Sequence, residues 1–179
     1  MRTVYDEADV QRTIATLADR IAAAFSPKSI LNVVGIRTRG EVLAARLCTL
    51  LAERGFAHIG RGVLDITMYR DDLSEIGPRP LVHPTTMTIT LDGHPLLLVD
   101  DVLFTGRSVR AALDALSDFG RPGAVRLAVL VERNGRELPI QADFVGLNVE
   151  DVLPNHRVNV RLRETDGRDE ILVEPMQRS

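Results

Sequence analysis

The segment Leu96-Leu97-Leu98-Val99-Asp100-Asp101-Val102-Leu103-Phe104-Thr105-Gly106-Arg107-Ser108 restricts the fold more than any other part of the chain. Residues 96–99 are apolar at every position, which predicts a central strand buried on both faces, as in a parallel sheet covered by helices. A helix is expected over 108–119, stopped by Gly120 and Pro122. Between strand and helix lie two acids and a short Thr-Gly-Arg-Ser loop. In an open α/β sheet that place, beyond the carboxyl end of a strand and at the unpaired N–H groups of the next helix, is where anions bind. Gly106 lets backbone approach a phosphate closely, and the Thr105 and Ser108 hydroxyls can donate to its oxygens. Asp100 and Asp101 suit a polyol or a magnesium ion. Any one of these residues alone reads as a strand end or a helix cap. Together they fit a ribose 5-phosphate.

A second unit of the same kind stands earlier: an apolar strand over 30–36, the loop Arg37-Thr38-Arg39-Gly40, and a helix over 41–54. Before it, Val10, Ile14, Leu17, Ile21 and Ala24 recur at spacings of three and four, predicting an amphipathic helix over 7–25. A strand over 62–69 is expected to lead into a polar, proline-bearing excursion over 70–84 that would serve as a mobile lid. Returning strands are expected over 85–90, 125–131 and 144–146, and a terminal hairpin joins 158–162 to 170–173 around Asp166-Gly167. The alternation of strands and helices predicts an α/β parallel sheet. With 179 residues, 45% of them apolar, the chain can bury one core, and residues 1–179 read as one domain.

Several function classes fall away. Cys48 is the only cysteine, which rules out an intrachain disulfide. The opening MRTVYDEADV lacks the layout of a secretory signal, so a cytoplasmic address is expected. Apolar runs end in charge well short of the roughly 18 residues of a membrane-spanning helix. No G-x-G-x-x-G follows the first strand, which disfavours a dinucleotide-dependent dehydrogenase. A phosphoacceptor receiver domain also has paired acids, but here the pair lies mid-chain and runs directly into Thr-Gly-Arg-Ser. The histidines His58, His83, His94 and His156 match no nucleophile or metal-ligand spacing. The net charge of −3 opposes attraction to a polyanion, so nucleic-acid binding would require a local arginine patch.

The segment around Asp100-Asp101 resembles the phosphoribosyl pyrophosphate (PRPP) signature of type I phosphoribosyltransferases. Its surroundings, VGIRTRGEVLAARL, LDITMYRDDL, VDDVLFTGRSVRAALDAL and LAVLVERNGRELPIQADFVG, resemble the PyrR family of uracil phosphoribosyltransferases that also regulate pyrimidine genes. The resemblance implies an α/β, type I phosphoribosyltransferase-like fold. This is a twisted, mainly parallel sheet flanked by helices, with a flexible hood and a C-terminal β-hairpin. It implies that Asp100 and Asp101 contact the ribose hydroxyls and that Val102, Leu103, Phe104, Thr105, Gly106, Arg107 and Ser108 hold the 5-phosphate. Thr38, Arg39 and Gly40 would form the pyrophosphate loop, with Asp101 and Arg39 as the catalytic pair.

Tyr69 and Arg70 would stand at the entry to the hood and close over PRPP, while Arg133, Val145 and Leu147 would lie at the base or nucleotide site. Family members commonly carry lysine where this chain has Leu147. Magnesium is expected through PRPP and through Asp100 and Asp101. The implied reaction joins uracil to PRPP, giving UMP and pyrophosphate, in a homodimer or homotetramer. An RNA-binding regulator responsive to UMP or UTP, catalytic or not, and a purine phosphoribosyltransferase are the alternatives. The RNA reading needs arginines on one face, with Arg12, Arg20, Arg133, Arg136 and Arg161 as candidates.

Overall fold

The computed structural model describes residues 2–70 and 85–176, and the expected lid over 70–84 lies, apart from Arg70, outside the described residues. Along the chain run β1 (Arg2–Tyr5), α1 (Glu7–Ala24), β2 (Leu31–Ile36), α2 (Arg39–Glu53), β3 (Ile59–Leu64), β4 (Pro95–Leu103), α3 (Arg107–Leu116), β5 (Ala124–Arg133), β6 (Phe144–Val149), β7 (His156–Arg161), α4 (Arg163–Asp166) and β8 (Glu170–Pro175). A 3-10 turn, Thr67–Tyr69, follows β3.

Five parallel strands form the main sheet in the order β3-β2-β4-β5-β6, and a three-stranded antiparallel sheet has the order β1-β8-β7. The central position of β4 follows from its sequence. Leu96 and Leu98 face α3, packing with Val109, Ala112 and Ala115, while Leu97 and Val99 face α1 and α2, packing with Leu17, Leu43 and Leu47. Both faces are therefore apolar, and the strand reads as a continuous run instead of an alternation. Each of these leucines stabilises the fold by roughly 1.5–3 kcal/mol through burial. Helix α1 begins with a reciprocal cap, Asp9 N–H donating to the Asp6 carboxylate and Asp6 N–H to that of Asp9.

Two expected strands are corrected. The strand over 62–69 ends at Leu64, because the Asp65 carboxylate accepts from both the N–H and the hydroxyl of Thr67, at 2.8 and 2.5 Å, and folds the chain into the 3-10 turn. The strand over 85–90 reduces to a single antiparallel bridge, Val63 to Thr86. Side-chain bonds on either side replace a ladder: Asp65 N–H donates to Thr85 Oγ1 and the Asn32 amide to Thr90 O. The terminal hairpin is present, with Val158 opposite Val173 and Val160 opposite Ile171. Strand β1, which pairs with β8, was not anticipated.

Candidate active site at the carboxyl edge of the sheet

Chain direction in the sheet makes the site. From β2 the chain passes through α2 to β3 on one side, and from β4 through α3 to β5 on the other. The loops leaving β2 and β4 therefore diverge, and the crevice between them is the switch point where parallel sheets bind ligands. The Arg37-Thr38-Arg39-Gly40 and Asp100 to Ser108 segments border that crevice. They are held close by glycine, since a Cβ at Gly40 would lie 2.6 Å from Val99 O. Only glycine lets the first turn of α2 rest on β4. The Arg37–Thr38 peptide is cis.

Asp100 and Asp101 occupy the end of β4, which runs further than expected. Asp100 is buried and accepts the Asp101 N–H at 2.9 Å, and Asp101 accepts the Val102 N–H at 2.9 Å. Burial, and then the neighbouring Asp101 charge, push the Asp100 carboxyl well above its ordinary range. Burial also pushes Asp101 up, against the Asp100 hydrogen bond and the positive charge of Arg39. Two adjacent carboxylates, each accepting a single backbone N–H, keep acceptor capacity to spare, which suits a diol or a cation. Among the described residues no three His, Cys, Asp or Glu side chains assemble into a metal cage.

Gly106, at φ +94°, turns the chain into α3, whose N-terminus has no side-chain cap. The start of α3, where Arg107 N–H donates to Thr105 Oγ1 at 3.3 Å, and residues Thr105 and Ser108 border a cavity of about 100 Å³. That is roughly three times the liquid volume of a water, about 30 Å³.

The loop is strapped from outside by the segment after β5. Glu137 and Leu138 N–H both donate to Thr105 O at 3.0 Å, and Arg107 pairs with Glu137 at 2.8 Å. Arg136 donates to Phe104 O and to the Glu132 carboxylate, while the Arg133 guanidinium lies 4.0 Å from the Phe104 ring centroid. Apart from the Glu132–Arg136 pair, no local pattern in the sequence announces these contacts, because their partners are some 30 residues apart, as Arg107 and Glu137 are.

Other candidate residues fall differently. Arg39, at the start of α2, donates through Nε and Nη2 to Asp166 at 3.1 and 2.7 Å, and its charge also reaches Asp101. Arg133 is buried, donates to His156 O at 2.7 Å and lies over the Phe104 ring, at the edge of a cavity beyond β5 and β6. Leu147 packs against the core beside α1, and the Val145 side chain packs on the α3 side while its carbonyl accepts from Arg20 at 2.7 Å. Both side chains are half-buried against the sheet's packing. Tyr69 donates its hydroxyl to Asp118, past the far end of α3, and exposed Arg70 ends the described segment. The arginines weighed for RNA are also engaged: Arg12 with Asp9, Arg161 with Glu170, and Arg133 and Arg136 inward. A larger cavity, about 560 Å³, opens beyond β5 and β6 and is lined by Glu132, Arg133, Asn134, Asn148, Glu150 and Asp151.

This sheet order, with paired acids and an uncapped helix beyond the central strand, defines a phosphoribosyltransferase, and the Phosphoribosyl transferase domain family matches residues 2–162. The bifunctional protein PyrR of Roseiflexus sp. is 48% identical over 93% of this chain and 90% of its own. That of Chloroflexus aurantiacus is 50% identical over 92% and 90%, and that of Mycobacterium tuberculosis 48% over 96% and 92%. The chain belongs to the PyrR family of phosphoribosyltransferases. The hypoxanthine phosphoribosyltransferase of Trypanosoma cruzi shares the fold, with a TM-score of 0.73 at 20% identity over 99% of this chain and 98% of that one. A hypoxanthine-guanine phosphoribosyltransferase of Bacillus anthracis shares it at a TM-score of 0.66 and 18% identity, over 83% and 84%. No helix among the described residues is long and apolar enough to cross a membrane.

Proposed function

We propose that this chain transfers the phosphoribosyl group of PRPP to uracil, yielding UMP and pyrophosphate. We propose also that it regulates pyrimidine genes by binding their leader RNA with UMP or UTP as co-ligand. The observation that carries the catalytic reading is the Asp100-Asp101 pair, buried and half-buried, at the mouth of the α3 phosphate loop. The relatives' printed name, bifunctional protein PyrR, supports both halves.

In this reading the 5-phosphate sits on the α3 N-terminus and the ribose diol donates to Asp100 and Asp101. The pyrophosphate lies along Thr38, Arg39 and Gly40. The C1–O bond to pyrophosphate breaks with its electron pair leaving on oxygen, the C1–N1 bond to uracil forms, and the N1 proton passes to solvent. The two carboxylates stabilise positive charge gathering on the ribose, and Arg39 stabilises the departing anion. Magnesium fits the pair jointly with oxygens that PRPP would bring, and when bound it supplies charge neutralisation for pyrophosphate. Uracil occupies the cavity of about 560 Å³ beyond β5 and β6, where Asn148 can pair with its polar edge.

The test is UMP formation from uracil, PRPP and magnesium by the native chain and by Asp101→Asn, with hypoxanthine and guanine run beside uracil. Turnover of uracil alone, lost in the variant, is expected. Turnover of a purine instead would replace uracil by a purine, and PRPP binding without turnover would leave a nucleotide-sensing regulator. For the regulatory half, retention of pyrimidine-gene leader RNA should rise on adding UMP, and retention indifferent to UMP and UTP would refute it.

A further inference from the structure

Arg39 and Arg46 are seven residues apart in α2, about two helical turns, and therefore share a face. Both forks are taken by the turn between β7 and β8. Arg46 donates to Asp169 through two bonds of 2.7 Å and to Glu164 at 2.8 and 2.5 Å. Asp169 is buried and also accepts the Arg163 N–H at 2.7 Å. This second fork fastens the hairpin to α2 without help from Asp166.

Asp166 has a different position. Its carboxylate is pinned by the Leu162 N–H at 2.9 Å and the Thr165 hydroxyl at 2.7 Å, and it receives the Arg39 fork at 3.1 and 2.7 Å. Burial opposes its ionisation, but the bonds from Arg39, Thr165 and Leu162 outweigh that and hold the carboxyl down at about 2. The Asp166 carboxylate thus remains ionised wherever the protein works. A guanidinium carries five N–H donors in a rigid plane, and Asp166 engages two of Arg39's, which leaves three for another anion. That anion would come to the crevice, because the first turn of α2, which begins at Arg39, packs against the end of β4: a Cβ at Gly40 would lie 3.2 Å from Asp100 Cα.

Resting on the reading of this crevice as the PRPP site, we propose that Asp166 is a positioning residue of the reaction. It holds the Arg39 fork so that the remaining donors meet the pyrophosphate group of PRPP. The C-terminal hairpin is by this account part of the substrate site, although it touches no substrate itself. A fork already fixed by a partner loses less freedom on binding than a free arginine.

A double-mutant cycle over the native chain, Asp166→Asn, Arg39→Ala and the double variant tests this, with KM for PRPP, KM for uracil and pyrophosphate inhibition measured in each. Asp166→Asn should raise the PRPP KM and weaken pyrophosphate inhibition by about tenfold, with the uracil KM unchanged, and should add less than about twofold once Arg39 is alanine. Asp166→Glu, which keeps the charge one methylene further out, should recover part of the loss. An unchanged PRPP KM in Asp166→Asn, or an equal loss with and without Arg39, would overturn the positioning role. A native chain showing no saturable dependence on PRPP would overturn the site reading beneath it, so the two failures are distinct.

Discussion

Asp100 and Asp101 are placed where charge is costly: Asp100 is buried at the end of the central strand, burial pushes both carboxyls up, and the Asp101 charge makes Asp100 harder still to ionise. Such a pair is suited to a ligand at the expense of the empty fold. The consequence has a sign. A carboxyl whose folded pKa lies above its unfolded value of about 3.9 destabilises the fold once ionised, so the native chain gains stability as pH falls through the folded pKa. Asp100→Asn, which keeps an acceptor for the Asp101 N–H, should therefore melt a few degrees higher than the native chain at neutral pH. The gap should close in acid as Asp100 takes up its proton. Melting curves across that range check this, and a lower melting point at neutral pH would show that the carboxylate stabilises the empty site.

At the scale of elements, the phosphate loop is shaped by two neighbours, the helix it leads into and the strap behind β5. The first was legible in the sequence, because an apolar run, a glycine and a helix period are local signals. The second was not: the sequence suggests Arg133 and Arg136 for the base site or an RNA-binding face, whereas Phe104 and its carbonyl engage both. The same limit hid β1, which exists only by pairing with β8, and the Arg39–Asp166 fork, whose residues stand 127 apart. The strand expected past Leu64 ends for a local reason instead, the Asp65 side chain that accepts from Thr67 and turns the chain. If the strap positions the loop, Arg136→Ala should raise the PRPP KM several-fold. Its melting point should fall by less than that of Leu98→Ala, which removes a buried core side chain and should cost about 2–5 kcal/mol. Steady-state kinetics and melting of the two variants check the order, and an unchanged PRPP KM in Arg136→Ala would relegate the strap to surface packing.

The whole molecule places its chemistry by topology. Two strand-loop-helix units diverge at the switch point, β4 supplies the carboxylates, and the antiparallel sheet returns the chain so that α4 reaches back to α2. The sheet, its central strand and the signature loop were readable from periodicity and resemblance alone. Of the residues expected at the base site, Arg133 lines the cavity beyond β5 and β6, while Val145 and Leu147 are half-buried against the sheet and its core.

The central claim is that the Asp100-Asp101 crevice binds PRPP. Calorimetric titration of PRPP with magnesium into the native chain and into the Asp100→Asn, Asp101→Asn double variant tests it most directly. The account predicts one saturable site per chain, lost in a variant that still melts cooperatively. Equal affinity in the two proteins would contradict it and place PRPP, if it binds at all, away from the end of β4.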